Sequence, residues 1–295
     1  MVEIARKICK RLHAYVRMDR YAGKVHSVHP SSVVLETPIG MVSILTNAHC
    51  LHPFSAVVNS TKQFPGFGIE EGQEVLIGEE RIEIPACEFA VDLSQATDLD
   101  LSVETMQSLF LPMDLDIRMR HLLRVIESHG ESYDISPLVT DAKSNDYCDA
   151  VRPLLDALHE AVCEQELAEC EQTAAAIAGF GNGAIPSSDM LLCGYVAGYA
   201  ALSAALGRSH QRVLSVTRAL TSGAAARTTE ASAALLLQSG EGLVSEDVFQ
   251  LLRCIFSDAS YQTTVAYANK VATAASGNGP DILTGIYLVV TKQYG

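Results

Sequence analysis

An α+β fold, with a small amino-terminal antiparallel β domain followed by a larger helical domain, is the class this sequence predicts. Three observations carry it. Residues 22–91 hold short runs rich in Val and Ile, separated by turn residues; residues 148–295 hold long apolar runs at helical spacing; and the stretch between them, 92–147, is acidic and loop-like. These divisions give four segments: an amino-terminal helix over 1–21, a β-rich domain over 22–91, a connecting region with short helices over 92–147, and a helical domain over 148–295.

The amino-terminal helix is expected because Ile4, Ile8, Leu12 and Tyr15 or Val16 recur at helical spacing, with Lys7, Lys10, Arg11 and Arg17 elsewhere on the wheel. The strands are "GKVHSVH", "SSVVLET", "MVSILT", "SAVVN", "QEVLIG" and "RIEIP", broken by Pro38-Ile39-Gly40, by "FPGFG" and by Glu71-Gly72. Their spacing of roughly ten residues suits a small antiparallel barrel or sandwich rather than alternating βαβ units. "MRHLLRVIESHG" is the clearest helix of the connecting region. Ser144, Asn145 and Asp146 offer caps for one long helix that ends at Gly179, with Pro153 in its first turn. Further helices are expected over 189–206, 209–221, 227–238, 246–257, 260–274 and 281–293, and Ser245 is the natural N-cap of the fourth of them.

Composition removes several function classes. Lys and Arg number 21 against 35 Asp and Glu, a formal charge of -14, and a field of that sign repels nucleic acid and anionic membrane. The uncharged run Met190 to Gly207 reaches the minimum length for a membrane span, but it is rich in Ala, Gly and Ser. It is expected as a buried helix in which Gly194 and Gly198 let a neighbouring backbone come close. The eight cysteines form no C-x-x-C, so they are expected as small buried residues of a reducing, cytoplasmic setting.

"SILTNAHCLHP" resembles the box around the catalytic histidine of chymotrypsin-like proteases. No G-D-S-G-G follows, and the second half of the chain is helical. His49, Cys50 and His52 could ligate a metal only with a distant fourth ligand, so a structural loop is the expectation and no metal site is assigned.

The stretch "GFGNGAIPSSDMLLCG" has a better physical case. Gly179, Gly181 and Gly183 permit positive φ and let a ligand press on backbone N–H groups, while Pro186, Ser187, Ser188 and Asp189 form a helix start. Such a start attracts anions through its unbonded N–H groups and the helix dipole. The spacing is neither that of a P-loop nor that of a dinucleotide fold, and no cofactor is implied. Taken alone, the loop serves equally well as a plain connection between two helices. A second stretch, "ASGNGPDILTG" with Asn278, Gly279 and Asp281, repeats the recipe, and both contain an x-x-L-x-G frame ending at Gly194 and Gly285. Two such helix starts facing each other could share a pocket.

This combination resembles the H-subunit family of oxamate carbamoyltransferase. The family's G-x-G-P-G-L-T-P-S-G-D-D-x-L-x-G signature is matched by Gly181, Gly183, Pro186, Ser187, Asp189, Leu192 and Gly194, and its later S-G-x-D-x-L-x-G by Gly279, Asp281, Leu283 and Gly285. Three positions depart: Ile185 stands for Thr, Met190 for the second Asp and Asn278 for Ser. The resemblance implies a cytoplasmic subunit of a bacterial carbamoyltransferase-type enzyme of purine and allantoin catabolism. Its ligands would be small anions, namely carbamoyl phosphate, phosphate or an oxamate-like acceptor, and its partners companion subunits. Gly181, Gly183, Pro186, Ser187, Ser188, Asn278 and Gly279 would bind the anion, and Asp189 and Asp281 would orient an amide N–H or take its proton. Arg227, just before "TTEAS", is the basic side chain placed to help. A non-catalytic anion-binding or assembly subunit is the alternative, and self-association stays open.

Overall fold

A computed structural model of the chain describes residues 1–46, 50–274 and 277–294. The chain divides into two units, Met1–Leu101 and Ser102–Gly295, each with its own apolar core.

In the first unit the expected runs form β2 (Tyr21–His29), β3 (Ser32–Thr37), β4 (Gly40–Thr46), β5 (Ser55–Val58), β6 (Glu74–Gly78) and β7 (Arg81–Ile84). Three further strands join them: β1 (Val2–Cys9), β8 (Phe89–Asp92) and β9 (Thr97–Leu99). Neighbouring strands run in the order β5-β4-β3-β2-β6-β7-β8-β1, and β5 pairs with β1 to close an eight-stranded barrel, with β9 added along β1. The barrel is mixed, which corrects the expected antiparallel domain: β4 pairs β5 in parallel, and β1 runs parallel to both β8 and β9. Hairpin reasoning reads only strands joined by a tight turn, whereas β1 enters from the chain start to pair with strands 50 to 90 residues away.

The expected amino-terminal helix also gives way at its start. Residues 2–9 are β1, and only α1 (Lys10–Met18) is helical. A four-residue apolar spacing is shared by one face of a strand and one face of a helix, so Ile4 and Ile8 do not discriminate between them. A register shift between Ala5 and Lys7 separates the two: Ile8 is fully buried, whereas Ile4 is exposed. α1 lays Leu12, His13 and Val16 into the unit, and the buried His13 ring meets Asp98 Oδ1 at 2.5 Å through Nδ1. Phe64, Phe67 and Phe89 pack together with ring centroids 5.0 to 6.3 Å apart and help fill the barrel core.

The second unit is helical: α2 (Leu115–His129), α3 (Asp146–Val151), α4 (Leu155–Glu164), α5 (Leu167–Ile177), α6 (Ser187–Ala205), α7 (His210–Ala225), α8 (Glu230–Gly240), α9 (Glu246–Ile255), α10 (Tyr261–Ala272) and α11 (Gly279–Tyr294). The long helix expected before Gly179 is broken into α3, α4 and α5. A 3-10 turn at Arg152–Leu154 holds Pro153, and Gln165 adopts φ 59°, which ends α4. Asn145 caps α3 by accepting from the Cys148 N–H, and Ser245 caps α9 as its position predicts.

α6 is buried on nearly every side, and no described helix is long and apolar enough to cross a membrane. Its partner is α11. A Cβ on Gly194 would stand 2.0 Å from the Ile282 carbonyl oxygen, and one on Gly285 would stand 2.0 Å from that of Leu191. The two x-x-L-x-G frames therefore press backbone against backbone, each glycine facing the other's segment. Among the cysteines, Cys9, Cys148, Cys170 and Cys254 are buried as expected, while Cys163 is exposed.

Candidate functional site

The loop that joins α5 to α6 is held by its own helix start. The Phe180 N–H donates to Ser188 Oγ at 2.9 Å and the Ser188 N–H returns to the Phe180 carbonyl at 2.9 Å. Asp189 Oδ1 accepts from the Gly179 N–H at 2.8 Å, and its Oδ2 accepts from Ser232 Oγ at 2.6 Å and from the Thr228 hydroxyl. Both side chains are fully buried. Ser188 and Asp189 thus clamp the loop to the start of α8, with each oxygen engaged by the chain itself. Thr229, the N-cap of α8, adds a bond from its hydroxyl to the Ala184 carbonyl at 2.6 Å.

The second glycine-rich segment meets this loop. Asn278 Nδ2 donates to the Ile185 carbonyl at 3.3 Å, and the Ser187 hydroxyl lies by the carboxyl of Asp281 in the first turn of α11, where it favours the ionised form. The first turns of α6, α8 and α11 therefore gather on one short loop, each bringing the positive end of a helix dipole. A third stretch closes on the same place: the Ile135 N–H donates to Asp281 Oδ1 at 3.0 Å, and the Tyr147 hydroxyl donates to Asn182 Oδ1 at 2.7 Å.

Within the loop the N–H groups of Gly181, Asn182, Gly183, Ala184 and Ile185 make no hydrogen bond with the described residues. The glycines differ in what they permit. A Cβ on Gly181 would fall 2.3 Å from the Ser187 nitrogen, so the loop's own path requires glycine there. Gly183, at φ +86°, has open space where a side chain would stand. That is where a ligand can reach the backbone. Gly279 instead packs on the end of α10, with the Val271 carbonyl oxygen 2.0 Å from any Cβ, and Pro186 is buried at the N-cap of α6.

Electrostatics single out Asp281. It is 2% exposed, and burial carries its carboxyl up to about 7, with the nearby charge of Asp134 acting in the same direction. The Ile135 N–H and the Ser187 hydroxyl oppose the shift. Arg227 lies at the surface, its carbonyl oxygen 3.1 Å from where a Gly179 Cβ would be, and its guanidinium makes no ion pair with the described residues. Among the described residues no group of three or more His, Cys, Asp or Glu could hold a metal ion. Of the trio His49, Cys50 and His52, His49 lies outside the described residues.

Two family models match the chain at these parts. Residues 4–98 match the AllH family N-terminal domain, and residues 177–290, which hold both glycine-rich segments, match the oxamate carbamoyltransferase subunit AllH. The chain belongs to the AllH family. No curated protein and no solved structure matches it. The second match begins at the end of α5 and runs into α11, so it contains the whole clamp of Asp189, Thr228 and Ser232. It leaves out the segment around Asp134 and Ile135 that also touches the site.

Sequence reading missed four participants: Asp134, Tyr147, Thr228 and Ser232. The "TTEAS" run could have offered Thr228 and Ser232, since short hydroxyl side chains ahead of a helix are natural partners for a buried carboxylate. Nothing in "GESYDISPL" marks Asp134, because its role depends on where α11 begins.

Proposed function

We propose that the helical unit of this AllH-family subunit binds a small anion carrying a carbamoyl group and takes part in carbamoyl transfer between oxamate and phosphate. The observation that supports this most is the run of unpaired N–H groups from Gly181 to Ile185, set against the converging first turns of α6, α8 and α11. Phosphate and carboxylate oxygens are the natural acceptors for such donors, and the helix ends favour negative charge without a lysine. The pathway is purine and allantoin nitrogen catabolism in a bacterial cytoplasm, and the partners are the companion subunits of the enzyme.

In this reading Gly183 and its neighbours hold the phosphoryl or carboxylate oxygens, and Ser187 and Asn278 flank them. Arg227 supplies long-range attraction from the surface. Asp281 is the proton carrier. In the synthetic direction the oxamate amide nitrogen attacks the carbamoyl carbon, its proton passes to the Asp281 carboxylate, and the carbon–oxygen bond breaks with the electron pair leaving on phosphate. In the catabolic direction a phosphate oxygen attacks the carbamoyl carbon of oxalurate, and protonated Asp281 delivers its proton to the departing amide nitrogen. A carboxyl raised to about 7 has both forms present near neutral pH, which suits either direction. Asp189 holds the loop in shape.

The second reading, a subunit that binds or assembles while catalysis resides on companion chains, draws on the engagement of Asp189 within the chain and on Met190 in place of the family's second Asp. Oxalurate phosphorolysis by the isolated chain, compared with the chain plus its companions, separates the two readings. Carbamoyl phosphate binding, measured by calorimetry, is expected in the wild type and lost in Gly183→Val. Equal binding by both would remove the loop from the site.

A further inference from the structure

We propose that Asp134 is a positioning residue for Asp281: it aims the Ile135 N–H at that carboxyl and sets a second negative charge beside it. The inference rests on the assignment of Asp281 as proton carrier. The observations that carry it belong to the turn after α2.

Asp134 is buried, and its two oxygens have separate duties. Oδ2 accepts from the Glu131 N–H and Oδ1 from the Ser136 N–H, both at 2.7 Å, so the carboxylate bridges the turn around Ile135. The turn is fixed from outside as well. Asn145 Nδ2 donates to the carbonyls of Ser132 at 3.0 Å and Asp134 at 2.7 Å while its Oδ1 caps α3. Gly130 admits the closure, since a Cβ there would stand 2.3 Å from Ser136 Oγ. The outcome is one buried N–H, that of Ile135, delivered to Asp281 Oδ1 at 3.0 Å.

Asp134 therefore acts on Asp281 in two opposed ways. The N–H it aims favours the carboxylate, and its own charge favours the acid. Of the other ionisable groups on the elements packed around α11, Glu127 of α2 bears on Tyr287 and His159 of α4 lies by Lys292, both further along α11. Asp189 of α6 is bonded to Gly179, Thr228 and Ser232; His129 at the end of α2 is bonded to Asn269 of α10; Lys270 lies over the Tyr267 ring; and Lys292 pairs with Asp156 of α4. Asp134 is the charge that bears on Asp281.

The test is the titration of Asp281 in the full-length chain, followed by carbon NMR of aspartate-labelled protein and assigned with Asp281→Asn. Asp134→Asn keeps an acceptor for the turn and removes the charge, so the Asp281 midpoint is expected to fall by about one pH unit. Asp134→Glu, which restores the charge, is expected to bring it back toward the wild-type value. In the unmodified chain the Ile135 amide proton is expected to shift with the same midpoint, which needs no variant to fold. An Asp281 midpoint unmoved in Asp134→Asn, or an Ile135 amide insensitive to pH through that range, overturns the proposal. No ligand enters these measurements, so their failure is distinct from a failure to bind carbamoyl phosphate.

Discussion

Asp189 and Asp281 look alike in sequence, each standing at the start of an apolar run, and the fold gives them different chemistry. Asp189 meets three donors from its own chain, whereas Asp281 meets the Ile135 N–H, the Ser187 hydroxyl and the charge of Asp134. The raised Asp281 carries a stability consequence with a definite sign. Between about pH 4 and about 7 the folded chain keeps a proton that the unfolded chain has released. Its contribution is therefore fully present below the unfolded value and lost as pH rises toward about 7. Replacing Asp281 with Asn removes that slope and is expected to stabilise the chain at pH 8 by on the order of 4 kcal/mol relative to wild type. Urea unfolding of both proteins across pH 4 to 8 checks this. Parallel curves would mean that Asp281 titrates normally. Such differences were illegible in sequence, because apart from Gly179 the groups that decide them come from segments about 40 to 150 residues away in the chain.

At the scale of elements, the pairing of α6 with α11 is the feature on which the site depends, since it sets Ser187 beside Asp281. Much of it was legible: the x-x-L-x-G frames and the small residues Gly194 and Gly198 announce a close backbone approach. What they announce is packing. Gly194 and Gly285 have a carbonyl oxygen 2.0 Å from any added Cβ, while Gly183 has open space. Gly285→Ala is accordingly expected to lower stability by about 2 to 4 kcal/mol, as overpacking against rigid backbone does. Gly183→Ala is expected to lower it by about 1 kcal/mol, through its positive φ alone. Thermal unfolding of the two variants side by side makes the comparison, and equal losses would contradict the proposed division between packing and ligand-facing glycines. The breaks between α3, α4 and α5 escaped notice because Pro153 and Gln165 interrupt a run whose apolar periodicity continues through them.

For the whole molecule, two units with separate cores predict separate responses to damage. β1 closes the barrel by pairing with β5 on one side and β8 on the other. Removing residues 1–9 is expected to unfold the first unit, leaving the helical circular dichroism signal and carbamoyl phosphate binding of the second in place. Loss of both signals together would mean that the two units fold as one. Sequence alone determined the β-then-α order, the strands β2 to β7, the helices from α6 onward and the two glycine-rich helix starts. Each of these is written in local periodicity, turn residues and caps, which act over a few residues. Only the tertiary structure decided that the barrel is mixed and closed by β1, that the two glycine-rich segments touch, and which aspartate is raised. Those outcomes depend on strand register, interhelical distance and burial, quantities set by residues far apart in the chain.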